Sequence, residues 1–183
     1  MNLTGQIIVS MPSLEDERFY KTVIYICAHS SEGSMGIIIN KKIDYDLYPD
    51  LLQQLGIDKP LNNKKLFIRY GGPVESGRGF VLHSDDMMRK ETLNIDKGVA
   101  LTSTAEFFDD LSKGKGPKNC ILALGYAGWQ PGQLESEIMR NSWMSLSVDN
   151  SFLFDDEVSR KWSQAYKLIG IDPNSLSSES GRA

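Results

Sequence analysis

Apolar residues along this chain fall into two kinds of run. Short continuous blocks rich in β-branched residues read as buried strands: GQIIVS (5–10), TVIYICA (22–28), GIIIN (36–40), KKLFIRYGGPV (64–74), RGFVLHS (78–84) and NCILAL (119–124). Elsewhere apolar residues recur at helical spacing. Leu47, Leu51, Leu52 and Leu55 do so within residues 45–56, Phe107, Phe108 and Leu111 after residue 103, and Val158, Trp162, Ala165, Tyr166 and Ile169 near the C-terminus. Stop signals fall where these patterns end: Met11-Pro12 after the first strand, then Gly56, Gly114 to Pro117, and Gly170 after the helices.

The connections predict more. Residues 22–28 and 36–40 flank a glycine-bearing polar stretch and read as a hairpin with a loop longer than the tightest type. Residues 64–84 read as a second hairpin, turning at Gly71-Gly72-Pro73 with Glu75, Ser76 and Gly77 at the tip. Ser13 to Asp16 offers a capping pattern that predicts a short helical turn near residues 14–18. Residues 85–98 predict a loop with one short strand around ETLNI, and residues 99–103 lead into a helix with Ser103 and Glu106 as a capping box. Residues 142–154 alternate weakly, as one or two short strands. Residues 1–171 are expected to form one folded body, and the Ser-rich residues 172–183 predict a disordered tail.

The stretch 122–140, LALGYAGWQPGQLESEIMR, carries the densest signal. It reads as a strand end, a glycine-rich loop holding Tyr126 and Trp129, and a helix from about Gln133 entered through Pro131-Gly132. Free N–H groups at Gly132, Gln133 and Leu134 would form a small anion-receptive spot beside an aromatic wall, with Gln130 placed to read a polar group.

Composition narrows the function classes. The chain has 183 residues, 40% hydrophobic and 24% charged, as expected for one globular domain. Its net charge is −4, and Lys and Arg form no run longer than a pair, as at Lys41-Lys42 and Lys64-Lys65. Both facts argue against direct nucleic-acid binding and against an anionic membrane surface. Cys27 and Cys120 lie in apolar runs and make no disulfide framework, which favours a reducing compartment. The N-terminus lacks a leader pattern and no run is long enough to span a bilayer, so a cytoplasmic protein without membrane partners is expected.

Candidate chemistry is sparse. Cys27 and His29, two apart in a strand, would share a face but lack a third group, and Cys27 suits a buried hydrophobe. His83 ends a strand beside Ser84 and Asp85, but no G-x-S-x-G elbow accompanies it. GGPVESGRG is neither a dinucleotide fingerprint nor a Walker loop, and no cofactor is expected. Arg78 either grips a carboxylate or phosphate or pairs with Glu75. The run Glu15-Asp16-Glu17 lacks metal-ligand spacing, and Lys113 with Lys115 matches a helix C-terminus.

GQIIVSMPSLEDERF, SEGSMGIIIN, RYGGPVESGRGFVLH, LTST, ALGYAGWQPGQLESEI and SW, in this order and spacing, resemble the AlgH/YqgE family of bacterial proteins over residues 5–172. The resemblance implies an α+β domain: a single compact unit with a bent, forked, largely antiparallel sheet flanked by helices. It also implies a cytoplasmic location, and one member is linked by name to regulation of alginate synthesis. It supplies no catalytic residues.

The reading preferred from the sequence is a non-catalytic binding or regulatory protein that recognises a small anionic ligand or a protein segment. Its site lies between the two glycine corners and comprises Gly71, Gly72, Glu75, Arg78, His83, Tyr126, Gly128, Trp129, Gln130, Gly132 and Gln133, with no metal. One alternative is an enzyme assembling His83, Arg78, Glu75 and Ser103 from separate loops. The other is a transcriptional regulator acting indirectly or on DNA.

Overall fold

A computed structural model describes residues 2–43, 49–54 and 67–176. Its strands are β1 (Ile7–Ser10), β2 (Val23–Ser30), β3 (Gly33–Ile38), β4 (Phe67–Tyr70), β5 (Val74–Ser84), β6 (Leu93–Asp96), β7 (Val99–Thr102), β8 (Cys120–Trp129) and β9 (Trp143–Leu146). They build one sheet in the order β6-β7-β5-β8-β3-β2-β1-β9, with β4 also paired to β8. Only β4–β8 is parallel among these pairs. The helices are α1 (Pro49–Gln54), α2 (Ala105–Ser112), α3 (Gln133–Met139), α4 (Asn150–Phe154) and α5 (Lys161–Leu168). The result is a compact α+β domain with a bent, largely antiparallel sheet that does not close, flanked by helices.

Strand alternation explains why so many runs are apolar throughout. Ile7, Val9, Tyr25 and Ile37 face a core shared with Leu153 of α4 and Trp162 and Tyr166 of α5. Ile8, Ile24, Ile26 and Ile38 face the opposite way, with Leu134 of α3, Trp129 and Trp143. Val81, Leu122 and Leu124 meet Phe107, Phe108 and Leu111 of α2. A sheet covered on both faces has no polar side to show. Helix α5 is fastened to the end of β1, where Trp162 Nε1 and Tyr166 OH both donate to the Ser10 carbonyl, at 2.9 and 3.0 Å. Lys161 Nζ is buried and donates to the carbonyls of Phe152 and Asp155 at the end of α4.

Several local expectations change. The β2–β3 loop is of the tightest type, since Ser30 pairs with Gly33 across two residues. Residues 64–84 are not a hairpin, because β4 and β5 lie on opposite sides of β8. Between them the chain crosses β8 at Gly71-Gly72-Pro73, and residues 75–78 form an exposed excursion within β5. Residues 125–129 are not a loop: β8 runs on to Trp129. Gly125, at φ +72°, marks the place where β8 exchanges β4 for β3 on one side.

Residues 99–102 are strand, and α2 starts after Thr104; Ser103 makes no capping box and instead accepts a hydrogen bond from Arg78. The turn near Ser13 is a 3-10 turn over Glu17–Phe19, capped by Asp16. Residues 142–154 hold β9 and the short α4. Of the helix expected over residues 45–56, Pro49–Gln54 is helical; Leu47, Leu55 and Gly56 lie outside the described residues, as do residues 64–66. Pro173–Ser175 forms a 3-10 turn and Leu176 packs on the core, while residues 177–183 are likewise outside the described part.

Cys27 and His29 do not share a face. The β2–β3 register shifts between Ile26 and Ala28, so a bulge at Cys27 reverses the alternation that follows it. Cys27 is buried with Tyr25, and burial pushes its thiol up to about 12. His29 emerges on the other side, where its Nδ1 accepts from the Leu3 N–H at 3.2 Å. The ring proton therefore sits on Nε2, which donates to Glu135 at 2.9 Å.

Candidate functional site

Two glycine corners distant in sequence meet at the crossing over β8. A Cβ on Gly72 would lie 2.1 Å from the Tyr126 carbonyl carbon, and one on Gly71 would lie 2.2 Å from the Gly125 oxygen. One on Gly125 would lie 2.4 Å from the Gly72 oxygen. Backbone packs on backbone here, and no side chain fits between. The glycine pairs thus fill the crossing, and the open space lies beside it.

That space is a pair of cavities on either side of Val74, Gly128 and Trp129. One, of about 350 Å³, opens on the α3 face and is lined by Phe19, Pro73, Trp129, Glu137 and Trp143 among others. The second, of about 480 Å³, opens on the opposite face beside Ala28, Met35, Tyr126 and Gln130. Val74 is 36% exposed and borders both.

The first cavity is built around Glu137. Its Oε2 accepts from the indole N–H of Trp129 at 2.9 Å and of Trp143 at 2.8 Å. Its Oε1 accepts from the Gln133 amide at 2.8 Å. One carboxylate thereby sets two tryptophans edge to face, at 84° with centroids 6.2 Å apart. Phe19 adds a further edge-to-face contact with Trp143 at 5.5 Å. At the rim Arg18 grips Asp16 through Nε and Nη2, the shortest contact being 2.7 Å, and this pairing holds the Asp16 carboxyl below the usual carboxylate range. The acid run that lacked metal spacing in the sequence is thus a cap and a surface ion pair.

Sequence reasoning missed Glu137, Trp143, Val74, Asp16 and Arg18 as site residues. The spacing of Gln133 and Glu137, one helical turn apart, was the available signal for the first.

The remaining expected residues separate. His83 is fully buried: its Nδ1–H donates to the Ser84 carbonyl at 2.8 Å, and Nε2 accepts from Thr102 at 2.9 Å. Thr102 in turn accepts from Thr92 at 2.8 Å, and Thr92 accepts from the Arg89 N–H at 3.0 Å. Every member of this chain is satisfied, and none lines either cavity. Arg78 and Glu75 do meet, at 3.3 Å on the surface, with Arg78 also bonded to Ser103 and lying over Phe80. His83 therefore does not join Arg78, Glu75 and Ser103 as a loop-assembled enzyme would need.

At the start of α3 the N–H of Gln133 donates to the Gln130 carbonyl, and the N–H of Gln130 is held by the Gln133 side chain. Glu135 is held below the usual carboxylate range first by its own backbone N–H and then by His29. An in-chain carboxylate already serves this helix end. Gly132, at φ +73°, makes the turn into α3. Among the described residues no group of three or more His, Cys, Asp or Glu side chains is placed to hold a metal ion. No described helix is long and apolar enough to cross a membrane, which leaves strands aside.

Burial keeps the His83 imidazole below its ordinary value. Below pH about 6.5 the unfolded chain takes up this proton before the folded protein does, so stability falls as pH falls through that window. Urea unfolding between pH 7.5 and 5 is expected to show this acid-side loss, and His83→Asn should flatten it. Equal slopes in both proteins would refute the assignment.

Comparison with known proteins agrees with this architecture. The family described as DUF179: AlgH-like matches residues 7–174. A UPF0301 protein of Rhodopseudomonas palustris is 50% identical, the match covering 99% of this chain and 89% of the relative. One from Bradyrhizobium diazoefficiens is 48% identical, covering 99% and 88%. The solution structure of the AlgH protein from Pseudomonas aeruginosa superposes with a TM-score of 0.80 at 32% identity, over 100% of this chain and 97% of that one. A crystal structure from Corynebacterium diphtheriae shares the fold, with a TM-score of 0.72 at 19% identity, over 94% of this chain and 90% of that one. Matched along nearly its whole length by family, relatives and fold, the chain belongs to the AlgH/YqgE family of bacterial proteins.

Proposed function

We propose that this protein is a non-catalytic binding protein that takes up a segment of a protein partner across Val74. The observation that carries the reading is the sharing of Val74, Gly128 and Trp129 by two cavities on opposite faces of the sheet. A small ligand needs one enclosed pocket; a chain passing an edge needs two, with an apolar ridge between them. The charges lining the cavities are the carboxylates Asp16, Glu137 and Glu32 against the single guanidinium of Arg18. Of the two ligand classes expected from the sequence, this lining supports the protein segment over the small anion.

Panning a phage-displayed library of random nonapeptides against the whole protein tests the reading. Enriched peptides, once synthesised, should shift the amide signals of Gly128 and the indole signal of Trp129, and should fail to bind Val74→Asp. If no peptide enriches on the native protein over Val74→Asp, the proposal falls.

A further inference from the structure

Resting on that reading, we propose that the segment binds as an added β-strand along the open edge of β8 at Gly128, sending alternate side chains into the two cavities. Over residues 121–124, β8 is flanked by β5 on one side and β4 on the other. Over residues 127–129 it keeps β3, through Met35↔Gly128 and Ser34↔Trp129. On the other side the last partner is Val74, opposite Tyr126, because the chain before Val74 turns across β8. Among the described residues no strand pairs with Gly128 and Trp129 on that side.

Gly128 supplies an independent sign. It is exposed within a strand whose neighbours Ala127 and Trp129 are buried. Unlike Gly72 and Gly125, it does not sit at a left-handed φ. A Cβ there would come no nearer than 3.3 Å to a heavy atom, the Cε2 of the Tyr126 ring. That contact is tight but is made by a half-exposed side-chain ring and not by backbone, so neither φ nor a neighbouring main chain demands glycine at this position. A residue without a side chain on an open strand edge lets a second backbone approach closely.

The cavities complete the pattern. Side chains of an added strand point alternately to the two faces. Here each face offers a hollow: Phe19, Trp129 and Trp143 on one, Met35 and Tyr126 on the other. The first suits an apolar or aromatic side chain. Asp16 in the first lining is already paired with Arg18, whereas Glu32 in the second has no cation beside it in that lining, so charge complementarity assigns a basic residue to the flank of the segment that passes Glu32.

The test uses the synthetic peptide recovered from the nonapeptide library and its full set of single N-methylated analogues, titrated onto the native protein. Methylation at every second residue should weaken binding about tenfold or more, the scale of a lost backbone hydrogen bond, with little effect at intervening residues. Gly128→Val should weaken the unmodified peptide comparably while leaving the urea midpoint unchanged. Should that variant lose stability, the N-methyl series on the native protein decides alone. Weakening without alternation, or none at any position, overturns strand addition and leaves the binding reading standing. Failure of any peptide to bind overturns both.

Discussion

Replacing Gly72 by alanine is expected to cost about 4 kcal/mol or more, a large part of the roughly 5–15 kcal/mol that holds such a domain folded. The new methyl carbon would sit 2.1 Å from the Tyr126 carbonyl carbon and 2.4 Å from the Ala127 nitrogen. Neither is the end of a flexible side chain; both belong to the central strand. Gly72 also has φ +152°, a conformation that L side chains rarely adopt. Strain and overlap therefore act together, and the sheet must open at the crossing to relieve them. Gly77→Ala is the matched control, since nothing lies within 4 Å of a Cβ there. Urea unfolding of the two variants should differ widely in midpoint. A Gly72→Ala protein as stable as Gly77→Ala would show that the crossing is not packed as described.

Glu137→Ala should be the next most damaging change, at about 2–5 kcal/mol. Two buried indole N–H groups, on Trp129 at 7% and Trp143 at 4% exposure, would lose their shared acceptor. An unsatisfied buried donor costs about 1–3 kcal/mol. The edge-to-face arrangement of the rings would lose its fixed point, so the cavity wall should loosen with the fold. Glu137→Gln keeps a carbonyl oxygen in place and should recover most of the stability. The two variants are compared by urea midpoint and tryptophan emission, with a red shift expected for alanine. Equal stability of alanine and native protein would remove Glu137 from the centre of the site.

The strands were legible because burial on both faces writes an unbroken apolar run, as in TVIYICA and NCILAL. What stayed hidden was tertiary. Gly125 and Gly128 weaken strand propensity, so residues 125–129 looked like a loop; the chain crossing β8 explains the first glycine, and no local pattern records a crossing. The apparent hairpin over residues 64–84 failed for the same reason, since a third strand lies between its arms. The bulge at Cys27 inverts the face of His29 without leaving a mark in composition. The role of Glu137 stayed hidden because its indole partners stand on β8 and β9, outside its own helix. Trp129, Tyr126 and Gly128 could be singled out because aromatics and glycines concentrated in a few residues are visible in one dimension. Helix α4, at five residues, is too short for any periodicity to reveal.

The placement of β8 in the middle of the sheet has a consequence for biosynthesis. Its neighbours β3, β4 and β5 all precede it in the chain, and β1 at the other end is flanked by β9, made later still. A nascent chain emerging from the ribosome can close the β2–β3 hairpin early. β4 and β5 must then hold unpaired edges until residues 120–129 appear. Such edges adhere to one another, so translation of this protein passes through a period of exposure that a holdase chaperone is suited to cover.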